Sequence, residues 1–172
     1  MTKLSKPELI DVINEKTSIH KGLINAPDAN YTLYSLNYIK GEGYEKFKKW
    51  VFRRGIFGWR HTFDCDNYAE AFRVFLQIVH TKAQKGKDDN STKQSVAIGV
   101  IWYERAGRGG HAINIVVSKI EGGFKPYSVD RTESLVVKFV EPQDGKIIEL
   151  SKSELDSIFF VYVSKLHFVA SL

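Results

Sequence analysis

One cysteine, Cys65, is the whole thiol content of the 172-residue chain. That excludes an internal disulfide and any zinc site built on several cysteines. No apolar run approaches the roughly 18 residues that a membrane-spanning helix needs. The opening stretch, MTKLSKPELIDVINEK, carries charges where an export signal would need its apolar centre. The expectation is therefore a cytoplasmic protein with neither signal peptide nor membrane span. Internal repeats and low-complexity tracts are missing, and so is a long basic run. The formal net charge is +5, but the lysines are scattered, which reads as a solvated surface. Binding to nucleic acid then rests on charge alone, and neither it nor a membrane is expected as a partner.

What is present is a globular composition. Hydrophobic residues make up 43% and charged residues 26%, enough for one domain with a real core over residues 1–172. Ser5 caps a helix running to Thr17, with Pro7 in its first turn and Leu9, Ile10 and Ile13 on one face. Residues 21–43 are turn-rich and read as a long ordered loop pinned by Tyr31, Tyr34 and Tyr38. Tyr44, Phe47, Trp50 and Val51 then fall at helical spacing, with Gly55 as a stop. The strongest helical pattern spans 66–82, where Tyr68, Phe72, Phe75, Leu76 and Val79 form an apolar stripe.

After a polar connection over 82–94, expected to be mobile, the period changes to two. The stretches 95–103, 111–119, 135–142, 146–150 and 158–168 read as strands. Helices followed by strands predict an α+β fold, with the long helix packed on an antiparallel sheet.

The candidate chemistry centres on TFDCDNYAEAF, residues 62–72. With Asp64 as cap, Cys65 occupies the first helical position. A thiolate there meets unpaired backbone N–H groups and the positive end of the helix dipole, while Asp64 and Asp66 oppose the negative charge. A base is therefore needed. His111 in RGGHAINIVV follows a Gly-rich turn and opens a strand; His61 is a nearer but weaker rival. A third group would orient the imidazole. Glu141 and Asp130 are both downstream carboxylates, and either strand pairing is allowed. Pairing 111–117 with 135–141 uses the more apolar return strand, sets His111 opposite Glu141, and is preferred. The bland alternative is a Cys65 that simply fills the core as a small hydrophobe.

Taken together, FDCDNYAEAF, GGHAINIVV and FVEPQDGKI resemble the papain-like and transglutaminase-like cysteine proteinases. The likeness is greatest to the cysteine-proteinase domain at the C-terminal end of a mushroom agglutinin and to related bacterial and phage proteins, over about residues 26–163. The resemblance implies N-terminal helices with the cysteine-bearing helix on an antiparallel sheet. It implies a Cys65–His111–Glu141 triad and favours Glu141 over Asp130. The backbone N–H of Cys65 would supply one oxyanion donor, with Trp59 or His61 as further support.

The implied activity is that of a peptidase, amidase or acyl transferase acting on a protein or peptide. No cofactor is required. The agglutinin enzyme uses calcium, but here Asp64 and Asp66 supply two carboxylates against the six to eight oxygens calcium takes. The other function carried forward is a non-catalytic binding or inhibitor protein on the same fold, phage-encoded and acting on a host factor. Its contact surface would be the tyrosines between 31 and 38.

Overall fold

The computed structural model describes residues 2–58, 63–86, 94–120 and 134–163. Helix α1 (Lys6–Thr17) begins at the expected cap: the Glu8 carboxylate accepts from the Ser5 N–H at 2.7 Å and the Ser5 hydroxyl accepts from the Glu8 N–H. Its buried face is Leu9, Val12 and Ile13, while Ile10 is only partly covered.

Three short strands surround the turn-rich connection: β1 (Lys3–Ser5), β2 (Ile24–Asn25) and β3 (Asn30–Thr32). Tyr31 pins it as expected. Its hydroxyl accepts from the Asp28 N–H at 2.9 Å and donates to the Val163 carbonyl at 3.3 Å. The Tyr34 hydroxyl lies 3.2 Å from His80 Nδ1, and burial pushes it up to about 12, so it stays protonated. These tyrosines are buried or half-buried, which corrects their reading as a contact surface.

The chain continues through α2 (Leu36–Tyr38) and a π-turn at Ile39–Gly43 into α3 (Tyr44–Phe52). The long helix, α4 (Cys65–Ala83), agrees with the sequence expectation to one residue at each end.

The strands that follow are β4 (Gln94–Val96), β5 (Ile98–Arg105), β6 (Gly109–Lys119), β7 (Leu135–Val140), β8 (Ile147–Ile148) and β9 (Phe160–Tyr162). A six-stranded sheet has the order β2-β9-β5-β6-β7-β8, and a three-stranded sheet the order β1-β3-β4. The α+β class is as expected, but the sheets are not purely antiparallel: β2 pairs β9 and β3 pairs β4 in parallel. The strand expected over 146–150 shrinks to β8, and the one expected over 158–168 is β9 in its described part, with 164–168 outside the described residues. Between β8 and β9 lies α5 (Lys152–Asp156), whose signal, Ser151 capped reciprocally by Glu154, the strand reading overlooked.

The large sheet is covered on both faces. Helix α1 packs on β6 and β7, joining Ile113, Ile115 and Val117 in one apolar cluster. On the other face α3 and α4 pack over Ile98, Val116 and Val140, joined by Val96 of the small sheet. Phe72 is fully buried at the centre of this second cluster, with ring centroids 4.8 Å from Phe47 and 5.7 Å from Tyr44. Phe72→Ala should cost about 3–5 kcal/mol, read as a lower urea midpoint at unchanged slope. A loss under about 1 kcal/mol would show that α3 and α4 do not form one core there.

Candidate functional site

Cys65 stands at the first turn of α4, half-buried against Ala69, Val100, Ala112 and Trp102. Asp64 takes the cap position, and the Asn67 side chain accepts from its N–H at 3.3 Å. The helix is seated by Asn114, a fully buried residue of β6. Its Nδ2 donates to the Ala69 carbonyl at 2.9 Å and the Gly99 carbonyl at 3.1 Å, tying helix and sheet together one turn past Cys65.

His111 comes from β6, just past the β5–β6 turn, where Gly107 and Gly109 take positive φ. It lies opposite Tyr103 in the register, with the two rings edge to face at 5.9 Å. Glu141 follows β7 directly. Its turn closes through Glu141 N–H to the Lys146 carbonyl at 2.8 Å, and Tyr44 donates to the Pro142 carbonyl at 3.1 Å. Gly145 completes the turn at φ 73°, tight under the Tyr44 ring, where a side chain would not fit.

The β6–β7 pairing brings two of the sequence candidates together. His111 Nε2 and Glu141 Oε2 are 2.8 Å apart. Asn114 faces Val140, so Glu141 falls level with Ile113, two residues from the register that would set it directly opposite His111. A shift of two preserves the face of every side chain, and the His111–Glu141 contact forms on the diagonal. Nε2 faces the carboxylate, and Nδ1 is the ring nitrogen left on the cleft. The other third-member candidate, Asp130, lies outside the described residues, as do Trp59, His61 and most of the polar connection at 87–93.

Two lobes of one cleft meet at Asp64, Cys65, Gly110 and His111. The smaller, about 240 Å³, is walled by Trp102, Tyr103 and an exposed Phe159. The larger, about 720 Å³, is polar and adds Arg105, Glu141, Gln143 and Asp144. Sequence reading missed Arg105, Trp102 and Phe159, because nothing local marks a residue as the wall of a cleft.

Four buried side-chain atoms on this cleft have no hydrogen-bond partner among the described residues: Asp64 Oδ1, Arg105 Nε, His111 Nδ1 and Glu141 Oε1. Unpaired buried polar atoms are costly and scarce in folded proteins, and among the described residues these four gather on one cleft. Among the described residues no group of three or more His, Cys, Asp or Glu is placed to hold a metal ion, and Asp64 and Asp66 are instead joined by a hydrogen bond.

That bond, with burial as the next cause, raises the Asp66 carboxyl above the ordinary carboxylate range. The sign follows from linkage. A carboxyl raised in the folded state contributes stability that is complete at low pH and is lost as pH rises through the folded value. Asp66→Asn keeps a donor to Asp64 without the like charge. It should match the wild-type melting temperature near pH 4 and exceed it near pH 7. A variant less stable at both would refute the shared proton.

No family model matches the chain, and no curated protein does. Solved structures do. One, described as a PSL1a-E64 complex, superposes with a TM-score of 0.63 at 16% identity, over 93% of this chain and 51% of that one. Another is the Polyporus squamosus lectin bound to the human-type influenza-binding epitope Neu5Aca2-6Galb1-4GlcNAc. It superposes with a TM-score of 0.58 at 18% identity, over 93% of this chain and 49% of the lectin.

At this identity the likeness establishes the fold alone, and the chain spans about half the length of each of these chains. These findings correct the family read from the motifs. One neighbour is described as a lectin and neither as a papain-like or transglutaminase-like cysteine proteinase, so membership of that family does not stand. The description as a thiol protease of bacterial or phage type falls with it. Three short motifs recur by local necessity, since a capped helix start, a glycine before a strand and a strand-ending turn each have structural reasons to exist.

Proposed function

We propose that the chain is a binding protein and that the cleft around Cys65 and His111 is its ligand site. The observation that carries this reading is the set of unmet polar atoms. Asp64 Oδ1 and Glu141 Oε1 accept, Arg105 Nε donates, and all three line one lobe. A ligand that enters must carry donors and an acceptor together. Beside them, Trp102 and Phe159 offer an apolar wall for a side chain or a sugar face. A peptide segment of a protein target meets both demands, with amide N–H groups for the carboxylates and a carbonyl or carboxylate for Arg105. The fold it shares with a lectin supports binding as the role. The glycan named for that lectin belongs to a protein of which this chain spans half.

The test is isothermal titration with peptides selected by display on the intact chain, and with the Neu5Acα2-6 trisaccharide as a second probe. A ligand of either class should lose at least about tenfold in affinity in Arg105→Met and in Asp64→Asn, since each change leaves a partner of the ligand unpaired. Cys65→Ser should bind nearly as the wild type does. Ligands indifferent to both substitutions would place binding elsewhere.

A second reading is supported by one observation, the 2.8 Å contact between His111 Nε2 and Glu141 Oε2 with Nδ1 left free on the cleft that Cys65 shares. In thiol-based acyl transfer, Nδ1 would take the Cys65 proton while Sγ bonds to an amide carbonyl carbon. The same proton would pass to the amine as the C–N bond breaks, and water or another amine would release the acyl group.

Alkylation by iodoacetamide across pH separates the readings. Rapid reaction well below the ordinary thiol range of about 8.5, abolished in His111→Ala, would promote the acyl-transfer reading. Slow reaction with an ordinary thiol profile is the expected result for a binding site.

A further inference from the structure

Residues 46–63, KFKKWVFRRGIFGWRHTF, contain six of the 25 Lys and Arg residues and none of the 20 Asp and Glu. The rest of the chain therefore holds 19 basic residues against 20 acidic ones and is one charge negative, so the net +5 resides in this segment. The same 18 residues hold six Phe and Trp. The positive charge is thus concentrated in one segment, although no run of consecutive basic residues announces it.

The structure sorts the aromatics into two groups. Phe47 is buried, and Trp50 packs against it and Phe75. Phe52 and Phe57 are 63% and 59% exposed, unusual for phenylalanine, and touch each other edge to face at 4.8 Å. Lys48, Lys49 and Arg53 line a groove with Phe52 and Glu45 at the end of α3, and Lys48 pairs with Glu45 at 2.7 Å, leaving Lys49 and Arg53 as the excess charge. Among the described residues no ion pair is made by Lys49 or Arg53. Arg54 lies over the Trp50 ring at 3.9 Å and donates to its carbonyl.

We infer that this end of α3 is a docking surface for an anionic phospholipid bilayer. A solvent-exposed apolar plug ringed by lysine and arginine matches an interface in which acyl chains lie just below negatively charged headgroups. Phe52 and Phe57 enter that boundary, while Lys48, Lys49 and Arg53 stay at headgroup level. Single-stranded nucleic acid fits less well. The two phenyl rings pack on each other edge to face and do not present parallel platforms for successive bases, and the Arg54 face is already occupied by Trp50. Gln143 borders both the Phe57 pocket and the polar lobe of the cleft, so docking here brings the ligand site close to the membrane plane.

Vesicle flotation with the full chain tests this. Vesicles with about 30% phosphatidylserine should float the protein and pure phosphatidylcholine vesicles should not. The bound fraction should fall steeply between about 50 and about 300 mM salt. Phe52→Ala with Phe57→Ala should reduce partitioning at least about tenfold, and Lys49→Ala and Arg53→Ala about fivefold each. All four side chains are on the surface, so an unchanged circular dichroism spectrum is expected to accompany the loss. Equal flotation with both lipids, flotation indifferent to the phenylalanines, or binding to a single-stranded oligonucleotide without flotation would each overturn the inference.

Discussion

The carboxamide of Asn114 is the contact on which the rest of the arrangement depends. Buried donors are rarely left idle, and this one bridges the Ala69 carbonyl of α4 and the Gly99 carbonyl of β5 from a position in β6. Apolar packing alone would let α4 slide along the sheet, because hydrophobic contact is non-directional. A hydrogen bond to one particular helix carbonyl sets both the translation and the rotation of the helix. Cys65, one turn away, is thereby held at the mouth of the β5–β6 hairpin beside His111.

From that placement the chemistry of the cleft follows. The β6–β7 pairing brings Glu141 to His111, and a turn braced under Tyr44 keeps it there. The carboxylate faces Nε2 and leaves Nδ1 on the cleft. Asp64 and Arg105 add an acceptor and a donor, also unmet. Buried polar atoms that find no partner among the described residues forgo stability where they stand, which a complementary ligand would restore. The resemblance to the Polyporus squamosus lectin is one of fold, and the ordered His–Glu pair is a feature of this chain's own residues.

Much of this was legible beforehand. The caps at Ser5 and Asp64, the stripe of α4 and the strands β6 and β7 are local patterns that the structure keeps to within about two residues, whereas the single strand read over 95–103 is divided between β4 and β5 in different sheets. The pairing of His111 with Glu141 was also anticipated, although through a register two residues away. The face of a side chain depends only on whether the shift is even, so the partners survived the error. The short helix α5 was overlooked because its capping box sits among strand-like residues, and the parallel pairs because nothing within β2 or β3 names a distant partner. The family was misjudged because three brief motifs describe local geometry, which unrelated functions share.

The sequence by itself determined where helices start and stop, which face of each strand is apolar, and that Cys65, His111 and Glu141 would sit at the ends of their elements. These properties rest on periods of two and 3.6 residues and on hydrogen bonds spanning a few positions, all written locally. Tertiary structure alone decided which polar atoms go unpaired, that Arg105, Trp102 and Phe159 wall the cleft, and that Phe52 and Phe57 stay exposed while Phe47 and Phe72 do not. Exposure and pairing depend on which distant segments meet, and that is settled only when helices and strands pack into one set of layers.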